Sequence, residues 1–177
     1  SLQGVFPPIP TPFDAGGEVA HQALVENLEL WNQYDLAGYV VLGSNGEAVY
    51  LSDEEKVRIL ETVRPAIPAD KLLIAGTGAQ STRQTIDLTR SLKPDVILMD
   101  VQMPTIDGVT ATQRLRERER DTERHIPIIA LTAHAMEGDR ERFINAGMDA
   151  YVSKPLQSGE LYAEIEQCIR EFHVNGR

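Results

Sequence analysis

Six short apolar runs, each followed or joined by a stretch of helical periodicity, constrain this chain more than any other feature. The runs at 4–9, 38–42, 71–75, 96–100, 128–132 and 150–152 have strand length, and the stretches at 19–34, 53–64, 82–92, 109–119, 139–146 and 159–172 read as helices. Alternation of this kind predicts an α/β fold of six βα units, a mainly parallel open sheet covered by helices in three layers. Strand order stays open between simple succession and 3-2-1-4-5-6, and right-handed crossovers apply to both. The first run is compromised as a strand because Pro7, Pro8 and Pro10 have no N–H to donate to a ladder. At the second helix Ser52 and Glu55 have capping-box spacing, and Asp53, Glu54 and Glu55 suit the positive end of the helix dipole.

One aspartate, Asp100, closes the apolar run that starts at Val96, the place where an open α/β sheet carries its chemistry. Around and after it stand Met99-Asp100-Val101-Gln102-Met103-Pro104, Asp107-Gly108, Ile126-Pro127-Ile128-Ile129-Ala130-Leu131-Thr132-Ala133-His134, Ala146-Gly147-Met148-Asp149 and Ser153-Lys154-Pro155. In this order the words resemble the receiver domain of two-component response regulators, especially receivers attached to hybrid histidine kinases. The resemblance implies a flavodoxin-like (Rossmann-like) fold with Asp100 as phosphoacceptor, Thr132 as the hydroxyl that closes on the phosphoryl group and Lys154 as its cation. An aspartate nucleophile needs such fixed positive charge and donors around the phosphoryl oxygens. Asp95, Asp107 and Asp149 belong to the same pattern and read as turn and capping residues, while His134 lies close to the site by sequence.

A receiver opens with a strand ending in adjacent acids that hold magnesium, a hard cation that takes carboxylates and water. No such pair precedes Asp100: Asp14, Glu18, Glu26, Glu29, Asp35 and Glu47 are dispersed, and the acids at 53–55 belong to a helix start. No cofactor is therefore expected, magnesium at Asp100 alone being the alternative. Without it, in-line phosphoryl transfer loses its main charge clamp.

The front of the chain carries other words: Gly4-Val5-Phe6-Pro7-Pro8-Ile9-Pro10-Thr11-Pro12-Phe13, Gly43-Ser44-Asn45-Gly46-Glu47, Leu51-Ser52-Asp53-Glu54-Glu55-Lys56 and Ala75-Gly76-Thr77-Gly78. These resemble the first three βα units of the dihydrodipicolinate synthase and N-acetylneuraminate lyase family, TIM-barrel aldolases that use pyruvate. The resemblance implies a carboxylate-binding role for Ser44 and Asn45, in a loop whose small residues and amides suit an anion. The family's Schiff-base lysine and proton-shuttling tyrosine lie on later strands, and Lys154 sits in a receiver-type Ser-Lys-Pro setting, so no aldolase activity is expected. The two resemblances meet near residue 90 inside a helix without a linker, whereas natural fusions join whole domains through one. The expectation is one fused domain, 1–90 from a barrel and 91–177 from a receiver: an engineered chimera without selected enzymatic activity. The alternatives are an impaired phosphoacceptor module acting through Asp100 and a residual small-anion binder at Ser44 and Asn45.

Composition limits the partners. At 177 residues and 42% hydrophobic content the chain can bury a substantial core. A net charge of -10 argues against nucleic acid or an anionic membrane surface as a partner. The single cysteine, Cys168, excludes an internal disulfide and reads as a helix-face residue, and no apolar run approaches a membrane span. A soluble, cytoplasmic chain with no natural partner, capable of forming a homodimer, is expected. His21, His125, His134 and His173 lack metal-ligand spacing. The charge-dense stretch 114–124 reads as a solvated helix end, and Leu30, Trp31, Tyr34 and Phe172 read as helix-face packing residues.

Overall fold

The computed structural model describes residues 4–79, 81–103, 107–120, 122, 125–133 and 139–173. Two compact units divide the chain, Ser1–Gln80 with Asp87–Leu92 and Ser81–Ile86 with Lys93–Arg177, so the division runs through a helix beside the expected junction.

In the first unit, helix α1 (His21–Trp31) buries Leu24 and Leu28, four residues apart, and exposes Leu30. It stops earlier than its periodicity predicts because Asn32 has other work: its Nδ2 donates to the Ala66 carbonyl at 2.9 Å, and its Oδ1 accepts from the Tyr39 hydroxyl at 2.8 Å. Trp31 packs against the core, whereas Tyr34 lies exposed beyond the helix end. Strand β1 (Gly38–Val41) pairs in parallel with β2 (Leu72–Ala75), Gly38 opposite Leu72 and Val41 opposite Ala75. The expected strand at 4–9 reduces to one parallel bridge, Pro8 to Val40, flanked by bonds from Val40 N to Pro7 O and from Ile9 N to Val40 O, both 3.0 Å. The prolines are the cause, since their nitrogens leave the ladder without donors.

Helix α2 (Asp53–Ala66) begins with the anticipated capping box: Ser52 N donates to Glu55 Oε2 at 2.7 Å and Glu55 N donates to Ser52 Oγ at 3.2 Å. Those bonds hold the Glu55 carboxyl below the usual carboxylate range. Its buried Ile59, Leu60 and Val63 pack with Ile9, Tyr39, Val41 and Leu51 in the first core, and Lys56 is buried on the same helix.

In the second unit, β3 (Ile97–Asp100), β4 (Ile128–Thr132) and β5 (Ala150–Ser153) form a parallel sheet in the order β3-β4-β5. Ile128, Ile129 and Ala130 are all 0% exposed, which marks β4 as a central strand buried on both faces. Helices α3 (Thr82–Leu92), α4 (Gly108–Glu119), α5 (Asp139–Asn145) and α6 (Ser158–His173) fall within a residue or two of their expected bounds. The second core joins Ile97, Met99, Ala111, Leu115, Ile128 and Phe143. The fold is thus α/β with parallel open sheets, and successive strands are neighbours within each sheet. Among the described residues the strands form two sheets, one of two and one of three strands. Among the described residues no helix is long and apolar enough to cross a membrane.

Asp107 caps α4, its Oδ1 accepting from Thr110 N at 2.8 Å. That backbone bond, then the Thr110 side chain and the charge of Arg142, hold its carboxyl below the usual range against a smaller opposing desolvation. A depressed folded pKa means that the cap's stabilisation is complete above the unfolded value of about 3.9 and is lost as pH falls through the folded value. Asp107→Ala should therefore cost about 1 kcal/mol at neutral pH, with Asp107→Asn retaining most of the cap. Urea midpoints measured from pH 7 to 3 should show the Asp107→Ala deficit shrinking toward the acid end; a deficit independent of pH would contradict the charged cap.

Candidate functional site

The sequence-predicted residues Asp100, Thr132 and Lys154 all come to the C-terminal ends of the second unit's strands. Asp100 is the last residue of β3 and lies opposite Leu131, while Thr132 ends β4 opposite Ser153. Val101 N donates to Leu131 O at 3.0 Å and Lys154 N to Thr132 O at 2.6 Å, so pairing continues one residue past each strand and fixes where Lys154 starts. Its Nζ then reaches Asp100 Oδ2 at 2.6 Å, with the two side chains 37% and 39% exposed. Thr132 is buried beneath this edge. Helix α4 approaches so closely that a Cβ on Gly108 would run into the Asp100 carbonyl oxygen, and Gly108 N donates to Val101 O at 3.0 Å. Glycine there is a requirement of packing. His134 and Pro104 lie outside the described residues.

This arrangement holds a partly exposed carboxylate in direct contact with a cation. Asp100 Oδ2 is taken by Lys154, and Oδ1 accepts from Gln102 N at 3.0 Å. Among the described residues no group of three His, Cys, Asp or Glu stands ready for a metal. The Gln102 contact was not legible from the motif, though an aspartate bonding the amide two residues on is a common turn device.

The opposite end of the same sheet holds a cluster that sequence reasoning took for a solvated helix end. Arg116 Nη2 meets Asp149 Oδ2 at 2.8 Å, its Nε donates to Gly147 O at 2.8 Å, and its Nη1 donates to both Glu119 and Ile126 O. Asp149 also accepts from Ile128 N at 2.8 Å and faces His125 Nε2 at 2.7 Å, and the His125 ring stacks on Phe172 with centroids 4.7 Å apart. Burial and hydrogen bonding make this a structural clasp. The missed signal was the i,i+3 pair Arg116 and Glu119 placed before an Ile-Pro strand entry. Nearby Cys168 is buried, and burial first, then the charges of Asp149, Glu164 and Glu171, push its thiol up to about 11. A thiol in that state is a poor nucleophile at neutral pH.

Ser44 and Asn45 lie in a short 3-10 turn, Ser44–Gly46, that follows β1 in the first unit. Both are exposed, and Ser44 Oγ donates to Asn45 Oδ1 at 3.3 Å. Thr11 Oγ1 donates to Gly46 O at 2.7 Å, while Gly46 N and Glu47 N donate to Gly43 O and Ser44 O. Those two amides are spent within the turn, which leaves less of a cradle for a carboxylate than the loop's composition suggested.

Comparison with known proteins matches two overlapping stretches of the chain. Residues 51–166 match the response regulator receiver domain, and residues 1–95 match the dihydrodipicolinate synthetase family. The hybrid signal transduction histidine kinase I of Dictyostelium discoideum is 44% identical over 106 residues, which is 57% of this chain and 6% of that protein. The polar-differentiation response regulator DivK of Brucella anthropi is 44% identical over 89 residues, 48% of this chain and 71% of its own. In structure, a catalytic lysine mutant of Ruminococcus gnavus sialic acid aldolase aligns with 94% of this chain and 57% of its own at a TM-score of 0.63. Its 17% identity makes that a likeness of fold alone. The chain spans a small part of the kinase and little more than half of the aldolase.

The two charge clusters differ in burial, and their removal should differ in cost. Lys154→Met should change stability by less than about 1 kcal/mol, as for exposed pairs. Arg116→Met, which strands Asp149 and Glu119 at side-chain exposures of 12% and 16%, should cost about 3 kcal/mol. Urea denaturation of both variants checks this, and equal losses would show that the Asp100 pair is structural too.

Proposed function

Since the chain belongs to the response regulator receiver family over residues 51–166 and to the dihydrodipicolinate synthetase family over residues 1–95, we propose that it is an engineered recombination of the two. In this reading it is one fused domain, a response-regulator-like module grafted onto an aldolase fragment, without selected enzymatic activity. The observation that carries it is the overlap: both families match residues 51–95, a helix-strand-helix stretch that each parent uses. A βα unit common to two α/β folds is where fragments can be exchanged with the least loss of packing. A cytoplasmic chain with no natural partner, at most self-associating into a homodimer, belongs to the same reading.

A second reading has its own support. The 2.6 Å contact of Lys154 with Asp100, beside Thr132, is the geometry an aspartyl phosphoacceptor needs. In it the chain is an impaired receiver: an Asp100 carboxylate oxygen attacks phosphorus, the leaving oxygen departs, and Lys154 shifts to the phosphoryl charge. Intact mass after incubation with acetyl phosphate, with and without magnesium, separates the two. The recombination reading expects no adduct on folded wild type. An adduct absent from Asp100→Asn would establish the receiver reading. Unfolding followed by circular dichroism and by Trp31 fluorescence should give coincident transitions if the chain is one fused domain, and separated midpoints would contradict that part.

A further inference from the structure

Along a β-strand, successive residues turn their backbone N–H and C=O to alternate sides, toward one neighbouring strand and then the other. Ile97 N donates to Pro127 O at 2.9 Å and Val101 N to Leu131 O at 3.0 Å, so the odd-numbered residues of β3 pair with β4 and Leu98 turns both its backbone groups outward. β3 is the end strand of its sheet, and among the described residues nothing else is hydrogen-bonded to those two groups. The Leu98 side chain is 40% exposed. Ile74, 42% exposed on β2, differs: Leu72 N donates to Ala37 O and Gly76 N to Val41 O, so the backbone groups of Ile74 turn to β1. Leu98 thus joins, at one residue, an unpaired donor, an unpaired acceptor and exposed apolar surface.

An unpaired edge is a template for another strand, and natural edges are blunted by charge, proline or a bulge. β3 has none of these from Ile97 to Met99. Asp100, the one charged residue of the strand, is already paired with Lys154 at 2.6 Å, so two copies of a chain of net charge -10 meet there without bare like charges. We propose that the outer edge of β3 is the self-association surface of this chain, taking the same edge of a second copy in antiparallel register with Leu98 opposite Leu98. In that register the two leucines exchange both backbone bonds and lie side by side on one face. The twofold relation closes the assembly at two chains. This edge gives the homodimer of the recombination reading its surface and rests on that reading, not on the chemistry of Asp100.

Sedimentation velocity of the full chain over about a hundredfold range of concentration tests the edge. The mass should rise from that of one chain toward that of two and stop there. Leu98→Pro removes the outward N–H without touching a bond to β4, a change that edge strands tolerate. It should weaken dimerisation about tenfold or more, as for the loss of two hydrogen bonds. Leu98→Lys keeps the backbone but sets a charge on each side of the twofold, and should weaken the dimer to a similar extent. Urea midpoints close to wild type separate both effects from unfolding, and Ile74→Lys should dimerise like wild type. A dimer indifferent to both Leu98 variants would overturn the β3 surface while leaving a homodimer in place. A wild type that stays monomeric at every concentration would overturn both and leave the edge to a strand of another protein. Growth beyond two chains would overturn the closed pair.

Discussion

The carboxylate of Asp149 fixes the second unit. One oxygen takes both the Ile128 amide and an Arg116 nitrogen, and the other faces His125, so the start of β4, the approach to β5 and the face of α4 meet at one residue. Register then propagates along the sheet, from Ile129 opposite Ala150 to Thr132 opposite Ser153, at about 3.3 Å per residue. Lys154 reaches Asp100 because the strands were set at their far ends. A slip of one residue would turn Thr132 to the other face and carry Lys154 away from the carboxylate.

The two ends of this sheet divide the labour between permanence and availability. Arg116, Asp149 and Glu119 are nearly enclosed and satisfied from several directions, so removing any one strands charge in a poorly solvated place. Asp100 and Lys154 are each more than a third exposed and joined by a single ion pair, which water can replace at little cost.

Element type was readable because strand and helix periods differ; Asp100 stood out because it closes an apolar run, whereas Thr132 and Lys154 were named through the resemblance to receiver motifs. What escaped depends on three-dimensional contact. The segment 4–9 has strand-like composition, yet its prolines leave too few donors for a ladder, and only the Pro8 to Val40 bridge survives. Arg116 and Glu119 look like ordinary surface charges on a helix, and only the fold brings Asp149, 33 residues beyond Arg116, into contact. The division of the chain passes inside α3, a helix whose pattern shows no interruption.

Cys168 is buried on α6, which packs on β5, and its thiol is held in the protonated form. Sulfur becomes reactive only after water reaches it, which requires α6 to lift from the strand. Modification of that thiol under native conditions therefore reads the population in which the packing around it is open.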